Sequence, residues 1–198
     1  MDMDGKSAIR RLLKDRVASL DAAERAARSS VACSWVTQTA EFAQAEVVML
    51  YLSLPDEIDT ASLALKCWQA GKTVVVPKVA WGQRRMLPVE ISCLQTGLAR
   101  TAGGLSEPIA GKPVPVDMLD LVIVPGLGFT PDGGRIGRGM GFYDRFLIQS
   151  DFIGRTCGLG FETQVLDRLP TLDHDVPLGM LVTEIGVRRF APVTIQQG

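Results

Sequence analysis

The chain is poor in the side chains that most often do chemistry alone: its 198 residues include one histidine, His174, and two tyrosines. A single imidazole excludes multi-histidine metal sites and leaves room for at most one His-dependent triad. The four cysteines, Cys33, Cys67, Cys93 and Cys157, have no paired spacing, so a zinc knuckle or a thioredoxin-like couple is excluded and all four read as buried thiols. Net charge is also missing. With 21 basic and 22 acidic residues the chain lacks the signature of a nucleic-acid sheath or a membrane-surface protein, so any basic function has to be local. Long apolar runs are absent too: "VVML" and "LVIVPGL" are sized for buried strands rather than for a bilayer span. The opening MDMDGKSAIR has acids and no apolar core, so no leader is expected, and a cytoplasmic, monomeric protein is the expectation.

What remains is 46% apolar and long enough for one substantial core, read here as a single domain over residues 1–198. Ile9, Leu12, Leu13 and Val17 recur at helical spacing over residues 6–17, with Lys6, Arg10 and Lys14 on another stripe. Asp21 and Glu24 form a capping box, and an alanine-rich helix is expected to run from there to about Phe42. "EVVMLYLSL" predicts a buried strand. The "PDEIDT" loop follows, with Asp59 as N-cap of a helix that starts at Thr60 and stops at Gly71. "KTVVVPKV" predicts a strand ending at Pro77, "RRMLPVEI" reads as a possible strand, and "TAGGLSEPIAGKPVP" as a loop. "DMLDLVIVPGLGF" is the strongest strand signal; "GFYDRFLIQS" begins a helix, and "RTCGLGF" and "LGMLVTEIGV" read as two last strands. Strands alternating with helices predict a three-layer α/β sandwich, its mostly parallel sheet covered by helices on both faces.

The chemistry concentrates after the strongest strand. "GGRIGRGMGFYDRFL" belongs to a stretch holding seven glycines over residues 126–141, between a strand and a helix, where α/β sheets bind ligands. No lysine followed by Ser or Thr closes it, and GxGxG stands where a dinucleotide loop has GxGxxG, so neither generic phosphate motif applies. Bare backbone still permits close approach to phosphate oxygens, and Arg135, Arg138 and Arg145 supply charge. Asp144 behind them can pair with an arginine at a helix start, or serve as a carboxylate ligand for Mg2+ shared with a nucleotide, with Asp175 as a second.

"LVIVPGLGFTPDGGRIGRGMGFYDRFL" resembles the signature of the 5-formyltetrahydrofolate cyclo-ligases, also called methenyltetrahydrofolate synthetases. "KSAIR", "YLSLPDEIDT", "LSEP" and "LDHDVPLGMLVTE" match further family stretches in the same order, so the resemblance runs from Lys6 to about Gly186. Two residues depart from the pattern: Ile136 stands where Leu is usual, and Phe142 replaces the first of two tyrosines.

The resemblance implies an ATP-dependent ligase that closes 5-formyltetrahydrofolate to the 5,10-methenyl compound. The other reading of such a fold is a sugar-phosphate isomerase, a coenzyme A transferase or a non-catalytic nucleotide-binding module. For ATP it implies Lys6, Arg10, Arg135, Ile136, Gly137, Arg138, Gly139, Met140, Gly141, Phe142 and Tyr143. For the folate it implies Leu52 and Glu57 together with Arg138, Gly139, Met140, Gly141 and Phe142. Arg138 and Tyr143 become the catalytic pair, and Asp144 and Asp175 the Mg2+ carboxylates. Glu107 reads as a residue that fixes the Glu-Pro turn, His174 as a neighbour of Asp175, Trp35 and Trp68 as core, and Trp81 stays unassigned.

Overall fold

The computed structural model describes residues 3–101, 106–170 and 175–190, so His174 lies outside the described residues. In chain order the helices and strands are α1 (Met3–Ala18), α2 (Ala22–Thr37), α3 (Ala40–Gln44), β1 (Val47–Met49), α4 (Ala61–Gln69), β2 (Thr73–Ala80), β3 (Arg85–Glu90), β4 (Leu98–Arg100) and β5 (Ser106–Pro108). There follow β6 (Leu121–Val124), β7 (Gly128–Phe129), β8 (Arg135–Ile136), α5 (Phe142–Leu147), β9 (Arg155–Leu159), β10 (Met180–Thr183) and β11 (Gly186–Arg189).

Seven strands form one sheet in the order β11-β10-β9-β6-β1-β2-β3. From β10 to β2 every neighbour is parallel, and only the edge strands β11 and β3 run antiparallel. Strands buried on both faces need apolar residues at every position, and β6 shows this: Leu121 and Ile123 face one core with Val48, Val74 and Met180, while Val122 and Val124 face another with Met49, Val75 and Leu181. The first core is closed by α2, α3 and α4 through Ala32, Val36, Phe42 and Leu63. The second is closed by α5 through Phe146 and Leu147, with Phe129 and Leu119 from the connecting segments. The sandwich therefore has a regular helical face and a largely irregular one. Its irregular face holds the glycine loop.

Local signals fix most boundaries. The capping box is present: Asp21 Oδ1 accepts from Glu24 N at 2.8 Å and Glu24 Oε2 from Asp21 N at 3.1 Å. Gly71, at φ 72°, lets α4 end with Gly71 N–H on Trp68 O and Lys72 N–H on Cys67 O, which satisfies carbonyls of the last turn.

Other expectations are corrected. The helix expected to reach Phe42 breaks after Thr37, because Thr39 caps a new turn by accepting from Phe42 N, and its own hydroxyl donates to Val36 O. Thr60, not Asp59, occupies the N-cap position of α4, its hydroxyl drawn to Tyr51 O, while Asp59 Oδ1 takes the Ala61 N–H. Strand β2 continues through Pro77. Ile91 N–H donates to Val74 O, and alternation from that pair puts Pro77 opposite Pro88 at a position where neither strand needs a donor.

The glycine and proline segment is not all loop, since β4 and β5 pair as a hairpin. "LGMLVTEIGV" is two antiparallel strands, β10 and β11, turning at Gly186. Trp35 is exposed rather than core, because the buried stripe of α2 runs through Ser29, Ala32, Cys33 and Val36. Leu12 is likewise exposed, leaving Leu13 and Val17 as the buried anchors of α1. Cys93 is only half-buried, its sulfur accepting from Gln95 N in the turn after β3, whereas the other three thiols are buried as expected. No helix among the described residues is long and apolar enough to cross a membrane.

Candidate active site

In the sheet order, β1 is joined onward to β2 on one side while β6 and β9 lie on the other, so the chain changes direction between β1 and β6. Diverging connections leave a crevice there. Tyr51 and Leu52 follow β1 into it, and Pro125 and Gly126 follow β6. The crevice is a cleft of about 580 Å³ walled also by α1, the glycine loop, the end of β2 and β5. Lys6, Arg10, Leu52, Glu57, every residue from Arg135 to Asp144, and Asp175 line this one space.

Helix α1 docks through Leu13, which packs on Leu127 and Ile136 and so lays the Arg10 side of the helix along the loop. Arg10 Nε donates to Gly137 O at 3.0 Å. Lys6 Nζ stands 3.8 Å from Asp175 Oδ2. The loop follows α1 closely because Gly139, at φ 99°, takes a backbone shape that a side chain would strain, and a Cβ there would also meet the Arg10 guanidinium at 3.4 Å. Arg135 is buried in β8, paired through Nη2 with Asp144 Oδ1, and lies over the Tyr143 ring with its guanidinium carbon 5.9 Å from the centroid. Arg145 points elsewhere. It donates to Met140 O and Arg84 O and packs on Phe142, holding the outside of the loop instead of facing the cleft with the other two arginines.

Across the cleft, Glu57 is held by its own turn, with Oε2 accepting from Leu54 N at 3.0 Å. Arg138 reaches it from the glycine loop, and Nη2 also donates to Asp56 Oδ1. Burial pushes the Glu57 carboxyl above the usual carboxylate range; the Leu54 N–H and Arg138 oppose the rise and Asp56 adds to it. Burial also pushes the Tyr143 phenol well up, Glu57 adding and Arg135 opposing, so Tyr143 stays a neutral hydroxyl donor.

Three buried polar atoms have no hydrogen-bond partner among the described residues: Glu107 Oε1, Arg135 Nε and Tyr143 Oη. All three belong to side chains that line the cleft, where a ligand can supply what the protein does not. Glu107, expected from the sequence to fix a turn, thus lines the cleft. It lies in β5, opposite Ala99. The "LSEP" match was the signal available for it; nothing local told that its carboxyl turns inward. Trp81 also lines the cleft, opening a short turn after β2, with its ring edge-on to Phe142 at 5.4 Å between centroids. Asp56 had no signal of its own beside Glu57. Among the described residues no group of three or more His, Cys, Asp or Glu side chains gathers to hold a metal; Asp144 and Asp175 both line the cleft, Asp144 beside Arg135 and Asp175 beside Lys6.

Comparison with known proteins gives the same picture from outside. The chain is 28% identical to the mouse 5-formyltetrahydrofolate cyclo-ligase over 189 residues, 90% of this chain and 93% of the mouse protein. It is 32% identical to the Haemophilus influenzae 5-formyltetrahydrofolate cyclo-ligase over 140 residues, 68% of this chain and 74% of that one. The solution structure of Aquifex aeolicus 5,10-methenyltetrahydrofolate synthetase superposes with a TM-score of 0.82 at 30% identity, covering 98% of this chain and 96% of the other. With the family model matching residues 2–184 as well, the chain belongs to the 5-formyltetrahydrofolate cyclo-ligase family.

Proposed function

We propose that this cleft is where the chain carries out the reaction of its family, the ATP-dependent closure of 5-formyltetrahydrofolate to 5,10-methenyltetrahydrofolate with release of ADP and phosphate. The observation that carries the assignment is convergence: side chains from Lys6 to Asp175, spread over most of the sequence, line a single cleft. All come from one copy of the chain, which suits a monomer.

A formamide is a poor electrophile, because its nitrogen donates into the carbonyl. Ring closure needs the oxygen made into a leaving group. The formyl oxygen on nitrogen 5 attacks the γ-phosphate of ATP and displaces ADP; nitrogen 10 then adds to the formyl carbon and gives up its proton to solvent, and phosphate departs with the former formyl oxygen to leave the methenyl bridge. Phosphoryl transfer asks for alignment and charge stabilisation more than for a base. Lys6, Arg10, Arg135 and Arg138 supply the cations, and the residues from Ile136 to Phe142 bring backbone close to the phosphates.

Asp144 and Asp175 are hard oxygen donors on the phosphate side of the cleft and fit Mg2+, which takes few protein ligands and keeps waters and phosphate oxygens. Bound there, the ion would offset phosphate charge. Glu57 accepts from the pterin amino and ring N–H groups, and Leu52 packs against the ring. Tyr143, a neutral phenol whose oxygen has no partner among the described residues, donates toward the phosphate oxygens on which negative charge gathers. Neither it nor Arg138 has a proton to remove at the phosphorylation step, since the amide oxygen carries none.

The direct test is absorbance: the chain with 5-formyltetrahydrofolate and MgATP should develop the methenyl chromophore, and the same mixture without ATP should not. A folded chain that gives no ATP-dependent rise would overturn the reading.

A further inference from the structure

One side chain spans the cleft. Arg138, from the glycine loop, contacts Asp56 Oδ1 through Nη2 and Glu57 Oε1 through Nη2 and Nε at 3.3 and 3.4 Å. Glu57 Oε2 is engaged by Leu54 N. Both oxygens of the carboxylate given above to the pterin therefore already have donors, and one of those donors is a cation that nucleotide phosphates would recruit. The carboxylates take the Nε and Nη2 edge of the guanidinium, so Arg138 can present that fork to a phosphate chain only by leaving them. Glu57 has a side chain only 11% exposed, so it is costly to leave it unpaired; Asp56 is 34% exposed and does not line the cleft.

We propose that Asp56 is a positioning residue that couples the two ligand sites: it holds the Arg138 guanidinium against Glu57 until nucleotide phosphate draws the guanidinium away, and nucleotide thereby frees Glu57 for the pterin. The inference rests on the assignment of Glu57 to the folate and Arg138 to the phosphates. Aspartate and phosphate compete for the same planar fork, so Asp56 sets how firmly Arg138 is retained. The effect is reciprocal. A pterin that takes Glu57 releases Arg138 toward the nucleotide, and each ligand strengthens the other by the same factor.

Binding of 5-formyltetrahydrofolate to the full chain, measured by calorimetry with and without a non-hydrolysable ATP analogue and Mg2+, tests this. The analogue is expected to tighten folate binding by about fivefold or more in the unaltered chain. In Asp56→Asn, folate alone should bind more tightly than to the unaltered chain and the coupling should fall below about twofold, with Asp56→Glu restoring it. A variant that weakens folate binding equally with and without the analogue, or that keeps the full coupling, would overturn the proposal. The same preparations are assayed for ATP-dependent methenyl formation. Product together with unaltered coupling in Asp56→Asn sinks the coupling alone, whereas a folded chain that makes no product sinks the reading of the cleft and this inference with it.

Discussion

At the amino ends of the parallel strands, Asp120 Oδ2 accepts from Glu46 N and Val47 N, each at 2.8 Å, and Glu41 grips Arg189 through two contacts of 2.9 Å. In the cleft at the carboxyl ends, Glu107 Oε1, Arg135 Nε and Tyr143 Oη are buried without partners among the described residues. The same kinds of group occur at both ends. At one end they close backbone hydrogen bonds and one another, which stabilises the fold; at the other they keep capacity in reserve for a ligand. Substitutions at the two ends should therefore separate activity from stability.

The largest effect is expected at Asp144. Asp144→Asn keeps an acceptor for Arg135 but loses the charge, and turnover should fall by roughly 100-fold or more, as for a lost electrostatic partner of the transition state. Steady-state kinetics beside a thermal melt check this. A variant with unaltered turnover would remove Asp144 from the phosphate machinery.

Glu57→Gln is expected to raise the KM for the folate by about tenfold at neutral pH, the scale of a hydrogen bond to a charged group. Burial holds this carboxyl above the ordinary range, so in the unaltered chain it takes up its proton at a higher pH than an exposed glutamate would. Folate KM should accordingly begin to rise, as pH falls, before an exposed glutamate would protonate, and Glu57→Gln should lack that acid limb. A pH profile of KM that is the same in both would move the pterin contact elsewhere.

At the opposite end, Asp120→Ala should cost about 1–2 kcal/mol of stability, because two backbone donors lose a charged acceptor. Denaturant unfolding measures the loss, and kcat/KM at a temperature where the variant is folded should be unaltered. A large fall in kcat/KM there would erase the contrast between the two ends.

The features that could be read in advance are those set by neighbours in sequence. Asp21 with Glu24 starts a helix, Gly71 ends one, and the run through Leu121 and Val124 can only be a strand buried on both sides. The cleft was legible for a different reason: family motifs from "KSAIR" to "LDHDVPLG" name residues far apart in sequence that the fold brings to one space. What escaped was set across the fold. Pro77 was read as a stop because proline lacks a donor, and only the register opposite Pro88 shows that no donor is needed. Trp35 reads as core because it falls within a helix, although the phase of α2 turns it outward. Glu107 and Asp56 owe their interest to what faces them, and no local pattern encodes that.

The facing prolines also bear on how the molecule behaves in company. The far side of β3 is already used, Glu90 N–H donating to Lys112 O and Val114 N–H to Pro88 O, and Pro88 itself interrupts the row of donors. The other border of the sheet, β11, is four residues long and carries Arg188 and Arg189. Short, charged or covered borders make poor templates for a foreign strand. A sheet this rich in Val, Ile and Leu thus offers little edge for a neighbouring copy to pair with.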